Sequence, residues 1–207
     1  TRCFVSGQKS SQKSVMSLFL IPALVRQVMK LDLETLGVSV IPIYGVHFDV
    51  YAKMFGEETL SKRCAIIADG DLQPSDAVLQ KGDDEEEEPA KDLKLLENDY
   101  VKTFQCRTTF ERELSLPGLR EMLAKAAEEC GLPRASKRII EMHGRLAQAK
   151  VRPAERSQLE QELATLILNT SKRIGNARFA QMASRHIDLA KEIPVYIQEA
   201  VKWLTSA

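Results

Sequence analysis

Short apolar runs alternate with stretches of helical spacing in the first half of the chain. In residues 15–33 the apolar positions recur at helical spacing, with Pro22 either near the start of this helix or kinking it, and Gly37 ends the unit. A shorter helix is predicted over residues 47–55. Strands alternating with helices in this way predict a parallel sheet with right-handed crossovers. The predicted strands are residues 2–6, 38–43, 64–68 and 100–106.

From Pro117 onward the pattern changes to amphipathic helices separated by Gly or Pro. The apolar stripes of these helices are typical of core residues rather than of a cofactor site. The sequence therefore predicts an α/β core followed by a helical region. The predicted helices span residues 119–130, 135–150, 153–172, 177–191 and 194–204.

Composition narrows the class of protein. With 207 residues, 44% hydrophobic and 28% charged, the chain fits one globular domain or one domain with an insertion. No apolar run reaches the roughly 18 residues of a membrane-spanning helix, so we expect no membrane partner. Because 29 basic residues balance 29 acidic ones, any binding to nucleic acid must come from local patches. The four cysteines are scattered without a Cys-x-x-Cys pair, which disfavours a zinc site or a disulfide framework and suits a reducing cytoplasm.

Two carboxylates follow the third predicted strand. Asp69 and Asp71 come directly after a run of five apolar residues, which predicts a buried parallel strand that delivers both acids to its carboxyl edge. Open α/β sheets bind ligands at that edge. Two hard oxygen donors suit Mg²⁺ or Mn²⁺ better than zinc. The alternative interpretation is an ordinary Asp-Gly turn with no chemistry.

An acidic run occupies residues 83–88 and has no hydrophobic side chain to bury. It could attract metal or mimic DNA, but a solvated loop is the simpler interpretation of such a block of like charges.

Several segments together resemble the Toprim domain of the overcoming-lysogenization-defect (OLD) family of nucleases. The similarity covers most of residues 18–114 and resumes at residues 175–183, where residues 177–181 are similar to a late family segment. In larger family members this region follows an ABC-type ATPase domain, and the chain has no Walker A loop and no initiator Met, so we expect a fragment of a larger protein. The segments that carry the resemblance are residues 20–24, 36–41, 51–55, 67–71 and 109–114.

The resemblance implies a divalent-metal-dependent DNA endonuclease or nickase acting by a two-metal mechanism. Asp69 and Asp71 would supply one set of ligands to Mg²⁺ or Mn²⁺, and Glu111 and Glu113, alternating at the next strand edge, would supply another. Taken alone, these two glutamates with Arg112 between them favour a surface strand, and their place in the family's order favours metal binding instead. The implied organisation is a Toprim α/β core over residues 1–116, a helical insertion over 117–172, and C-terminal helices over 173–207 that return to the core. The implied partners are DNA and an N-terminal ATPase domain. The resemblance does not decide whether the protein forms a homodimer.

The sequence departs from the family pattern in two places. Toprim proteins carry a Glu, usually followed by Gly, at the end of the first strand, and OLD proteins commonly carry another four residues on. Here Ser6 precedes Gly7, and counting back from Pro22 instead puts Lys13 and Ser17 at the two positions; residues 1–31 contain no acid at all.

The second departure lies before the late segment, where a lysine commonly stands. That place falls on Asn176, so Lys172 is our candidate for a cation that contacts the scissile phosphate; the alternative is a basic residue completing a helix dipole.

Two other functions remain open at this point. The fold could have lost catalysis and serve as a DNA-docking module for an ABC-type ATPase, which the acid-free N-terminus favours. A phospho-acceptor or small-ligand domain could use Asp69 and Asp71 on one Mg²⁺, but it gives Glu111 and Glu113 no role.

Overall fold

The computed structural model describes residues 2–8, 11–44, 48–70, 93–148 and 152–206. Asp71 and the acidic run at 83–88 lie outside the described residues, as do the side chains of Ser6 and Lys13.

A four-stranded parallel sheet forms one half of the described structure. Its strand order is β2-β1-β3-β4, so β3 lies between β1 and β4 and its apolar side chains are buried throughout. The carboxyl ends of all four strands meet at one edge, because every pairing is parallel. The predicted α/β fold with a parallel sheet is therefore confirmed. The strands are β1 (Arg2–Gln8), β2 (Val38–Tyr44), β3 (Cys64–Ala68) and β4 (Val101–Gln105).

The first crossover helix, α1 (Ser11–Leu24), contains Pro22 in its interior and not near its start. Proline has no N–H to donate, and the helix continues only as a π-helical turn, Val25–Met29. Lys30, with a φ of 56°, then ends the segment in the left-handed region. A short helix, α2 (Phe48–Ala52), precedes β3, as the sequence predicted.

The second half is helical, with boundaries close to those predicted. One exception is the predicted helix over 177–191, which ends at Arg185 and is followed by a 3₁₀ turn at Ile187–Leu189. After β4 and a short helix, α3 (Phe110–Glu113), and a 3₁₀ turn at Pro117–Leu119, the longer helices are α4 (Arg120–Glu129), α5 (Pro133–Ala147), α6 (Pro153–Ile174), α7 (Asn176–Arg185) and α8 (Val195–Thr205).

The helical half packs on the sheet half through a shared core. Helix α7 packs against α1 and α4, α6 packs against α3, and α8 packs against β3 and β4. One continuous cluster of buried apolar side chains joins residues of both halves, among them Phe4, Phe110, Phe179 and Ile197. Within the ranges described, no helix is long and apolar enough to cross a membrane.

Arg63 fastens the last helix to the loop before β3. Its guanidinium donates hydrogen bonds to the carbonyls of Trp203 and Ser206 and lies 5.5 Å from the Trp203 ring centroid. The Trp203 ring also lies 6.2 Å from that of Phe104 on β4. Helix α8 is thereby held beside the strand that leads into the carboxyl edge.

Candidate active site

Asp69 lies at the carboxyl edge of β3, where the sequence placed it. Its Oδ1 accepts a hydrogen bond of 3.0 Å from the backbone N–H of Phe110, the first residue of α3. Its backbone carbonyl accepts one of 3.1 Å from the side-chain amide of Gln105, at the end of β4. The carboxylate is therefore tied to the β4–α3 connection, which fixes its position at the sheet edge.

Gly70 allows this close approach. Its N–H donates to the carbonyl of Thr108 at 2.9 Å, and a Cβ on residue 70 would overlap the backbone carbonyls of Cys106 and Arg107. The glycine between the two predicted acids is thus required by steric contact with the neighbouring loop, and not by a left-handed turn.

Three further side chains gather beside Asp69. The buried Cys106 thiol donates to Asp69 Oδ1 at 3.7 Å, and the Thr108 hydroxyl donates to Glu113 Oε1 at 3.1 Å. Burial raises the pKa of the Cys106 thiol, and the nearby charges of Asp69 and Glu113 raise it further. Cys106 therefore stays protonated at neutral pH.

Tyr196, on α8, interacts electrostatically with the same group of side chains. Burial raises the pKa of its phenol, and Cys106, Asp69 and Glu113 add to the shift. Its hydroxyl oxygen is buried and has no hydrogen-bond partner among the described residues.

Glu111 and Glu113 do not alternate along a strand, which corrects the expectation from sequence. They lie in α3, a helix of one turn that follows β4 after a short loop. Side chains two residues apart on a helix point about 200° away from each other, so the two glutamates face different surroundings.

Glu111 points into the core between α3 and α7. It is fully buried, and its Oε1 accepts a hydrogen bond of 2.9 Å from the side-chain amide of Asn176. Glu111 Oε2 and Asn176 Oδ1 are both buried without a partner in the described part of the chain. Glu113, in contrast, is half-buried and accepts a hydrogen bond from the Thr108 hydroxyl.

The remaining sequence candidates are spread around the edge. Lys172 is exposed in the last turn of α6, three residues before Gly175, where the chain turns into α7. Ser6 pairs with Ile67 and Gly7 with Ala68, so β1 ends beside β3. Ser17 is buried within α1.

Comparison with known proteins identifies the fold. The family described as "Overcoming lysogenization defect protein-like, TOPRIM domain" matches residues 18–71. These residues form an OLD-like Toprim segment. The match spans the first crossover, β2, α2, β3 and Asp69, and the resemblance inferred from the sequence is confirmed.

Solved structures of OLD proteins match almost the entire chain. The C-terminal region of the Burkholderia pseudomallei OLD protein is 22% identical, with a TM-score of 0.61 over 98% of this chain and 96% of that one. The C-terminal region of the Xanthomonas campestris pv. campestris OLD protein is 25% identical, with a TM-score of 0.60 over 99% and 92%. Comparison with curated protein sequences gives no match. The helices after α3 thus belong to the same fold as the OLD-like Toprim segment.

Toprim domains generally bind divalent metals, and the acids at the carboxyl edge of the sheet are the candidate ligands for such an ion. Among the described residues no group of three or more His, Cys, Asp or Glu side chains is arranged to hold an ion. Asp69 and Glu113 are hard oxygen donors on one side of the edge and fit Mg²⁺ or Mn²⁺, whereas the protonated Cys106 thiol does not. Glu111 would have to leave Asn176 to join them.

The sequence analysis did not single out three residues of the candidate site: Cys106, Thr108 and Tyr196. Cys106 was read as the end of a strand, and Tyr196 as part of an amphipathic helix. No periodic signal marks them. Cys106 meets Asp69 through the pairing of β3 with β4, Thr108 bonds Glu113 across a short loop, and Tyr196 is brought in by the packing of α8. Asn176 was noticed in place of a lysine, but its contact with Glu111 joins residues 65 positions apart and has no local signature.

Proposed function

We propose that this chain is the nuclease domain of an OLD-type protein and hydrolyses DNA phosphodiester bonds with bound Mg²⁺ or Mn²⁺. The observation that carries the proposal is the position of Asp69, tied at the carboxyl edge of β3 beside Glu113 within a fold shared with OLD C-terminal regions. Open parallel sheets bind their ligands at this edge.

Each residue at the edge of the sheet would have its own role in binding the ion and in hydrolysis. Asp69, with Asp71 two residues on, would bind the ion, and Glu113 would contribute a further carboxylate from α3. A bound divalent ion would polarise the phosphodiester and activate water. The N–H of Phe110 and the thiol of Cys106 hold the Asp69 carboxylate in place.

The second ion of a two-metal mechanism has less support. Glu111 and Glu113 were its expected ligands, and the bond to Asn176 holds the Glu111 carboxylate in the core. Residues 1–31 supply no acid from the first strand or helix. We therefore propose one ion site, at Asp69 and Glu113, and a second ion only where Glu111 is released.

Contacts with DNA and a partner domain complete the proposal. Lys172 is exposed at the end of α6, where a cation can reach a phosphate without a desolvation penalty. The matched structures are C-terminal regions of OLD proteins, which supports a preceding ATPase domain in the full-length protein. The four cysteines are free thiols, in keeping with a reducing cytoplasm.

The test is incubation of supercoiled plasmid with the protein in Mg²⁺, Mn²⁺ or EDTA. Wild-type protein should nick the plasmid with either ion and not in EDTA. Asp69→Ala should abolish nicking, and Glu113→Gln should weaken it. Glu111→Ala, run in parallel, reports whether the buried carboxylate is needed, with thermal unfolding as the control for folding.

A second function is favoured by the substitutions around the edge. Neither Ser6 in one register nor Lys13 and Ser17 in the other is an acid, and Asn176 stands in place of the family's lysine, which supports a DNA-docking module with weakened catalysis. Such a module would bind a labelled duplex in the plasmid buffer yet leave the plasmid intact with every ion. Binding without nicking would therefore replace the nuclease proposal by this one.

A further inference from the structure

Asp69 accepts two hydrogen bonds on the same carboxylate oxygen, one of them from a thiol. The Phe110 N–H and the Cys106 thiol both donate to Oδ1, at 3.0 Å and 3.7 Å. The backbone donor sets where the oxygen lies. The Cys106 thiol, directly after β4, donates a second hydrogen bond to the same oxygen. The two hydrogen bonds together restrain the rotation of the carboxylate.

Cys106 is itself held in a closed environment. It is 5% exposed, and its sulfur also lies 3.5 Å from the Thr108 carbonyl. A buried cysteine away from acids packs as a small apolar residue, but this one faces Asp69 and has Glu113 nearby. An apolar role alone would not require a donor at this position.

Tyr196 is the second buried residue that interacts with the Cys106 thiol. Tyr196 is 9% exposed, and its hydroxyl oxygen is buried without a well-formed hydrogen bond among the described residues. A buried hydroxyl without a partner is unfavourable and calls for an explanation. The groups that act electrostatically on this hydroxyl are the Cys106 thiol and the carboxylates of Asp69 and Glu113.

We propose that Cys106 and Tyr196 are positioning residues for Asp69, with the thiol orienting the carboxylate and the phenol hydroxyl closing the shell behind it when a divalent cation is bound. The inference rests on the proposed metal site and adds two residues that touch neither the ion nor the DNA. Groups that orient metal ligands in this way typically change metal affinity about 10- to 100-fold when removed.

The experiment measures Mn²⁺ affinity directly, by the EPR signal of free Mn²⁺, and not through cleavage. Cys106→Ala removes the donor and should raise the Mn²⁺ Kd about tenfold. Cys106→Ser supplies a hydroxyl donor of similar size, and its Mn²⁺ Kd should stay within about threefold of wild type.

Tyr196→Phe should raise the Mn²⁺ Kd severalfold. Its melting temperature without metal should stay equal or rise, because the change deletes only an unpaired hydroxyl. Cys130→Ala, a half-exposed thiol on the helical half, is the matched control and should change nothing.

Three results would overturn the inference. The first is a Cys106→Ala Kd equal to wild type, and the second is a Cys106→Ser variant as weak as Cys106→Ala, which would show that packing alone matters. The third is an unchanged Kd in Tyr196→Phe. Absence of Mn²⁺ binding in wild-type protein would overturn this inference and the proposed function together. The expected affinities with no plasmid nicking would overturn only the nuclease.

Discussion

Asn176 donates its side-chain amide to Glu111 Oε1 at 2.9 Å, joining the start of α7 to the turn of helix that follows β4. Both side chains are buried, and each keeps a second oxygen without a partner among the described residues. The bond places a neutral residue against an acid that the family resemblance assigned to metal binding. Whether Glu111 serves the core or the ion can be tested by substitution.

Asn176→Ala should destabilise the protein. It leaves a buried carboxylate without its donor, which costs about 1–3 kcal/mol of the free energy of unfolding. Urea unfolding followed by circular dichroism measures this. Asn169→Ala, at an exposed position of α6, is the control and should stay within about 0.5 kcal/mol of wild type. Equal effects of the two changes would show that the pair contributes nothing.

Glu111→Gln should be at least as stable as wild type, because the amide nitrogen can replace the unpartnered Glu111 Oε2 and offers a donor to the unpartnered Asn176 Oδ1. If Glu111 stays bonded to Asn176 during catalysis, plasmid nicking should also remain within about threefold of wild type. A loss of nicking as large as that of Asp69→Asn, at unchanged stability, would instead establish Glu111 as a metal ligand.

Gly70→Ala should disrupt the site. The added Cβ overlaps two carbonyl oxygens of the β4–α3 connection, so the loop that carries the Phe110 N–H must move. We expect a loss of about 1–3 kcal/mol in stability together with loss of Mn²⁺ binding. The matched control is Gly144→Ala within α5, where a Cβ meets nothing within 4 Å and should stabilise by up to about 1 kcal/mol. A Gly70→Ala variant with native stability and Mn²⁺ affinity would contradict the described loop contacts.

Alkaline pH should destabilise the fold through Cys106 and Tyr196. The pKa of each is raised on folding, so each binds its proton more tightly in the native state than in the unfolded state. Their contribution is complete below the unfolded values, about 8.5 for a thiol and 10 for a phenol, and is lost as pH rises above them. Urea unfolding, measured from about pH 8 to about pH 11 in steps of about one pH unit, should show that the free energy of unfolding falls as pH rises. The fall per pH unit should be smaller in Tyr196→Phe than in wild type. An unchanged slope in that variant would contradict the buried position of the phenol.

The fold was largely predictable from the sequence because its signals are local. The runs of apolar residues that became β3 and β4, and the Gly and Pro breaks between the later helices, act over a few residues and were placed to within several positions. Asp69 was found for the same reason, since an acid directly after a buried strand lies at the edge of the sheet.

The surroundings of Asp69 could not be predicted in this way. Alternating glutamates after β4 suggested a continued strand, but the chain bends at Arg107 and Thr108, and one turn of helix sends Glu111 and Glu113 to different sides. Cys106, Asn176 and Tyr196 meet the acids through contacts between elements far apart in sequence. Such contacts depend on how α7 and α8 pack, which periodicity does not encode.

The most direct test of the central claim is the rate of plasmid nicking in Mn²⁺ by wild-type protein and by Asp69→Asn, which keeps the shape of the side chain and removes its charge. Wild-type protein should convert supercoiled plasmid to the nicked circle in Mn²⁺ but not in EDTA. Asp69→Asn, folded to the same melting temperature within a few degrees, should be slower by at least about 100-fold. Equal rates for the two proteins, or nicking that persists in EDTA, would contradict a metal-dependent nuclease centred on Asp69.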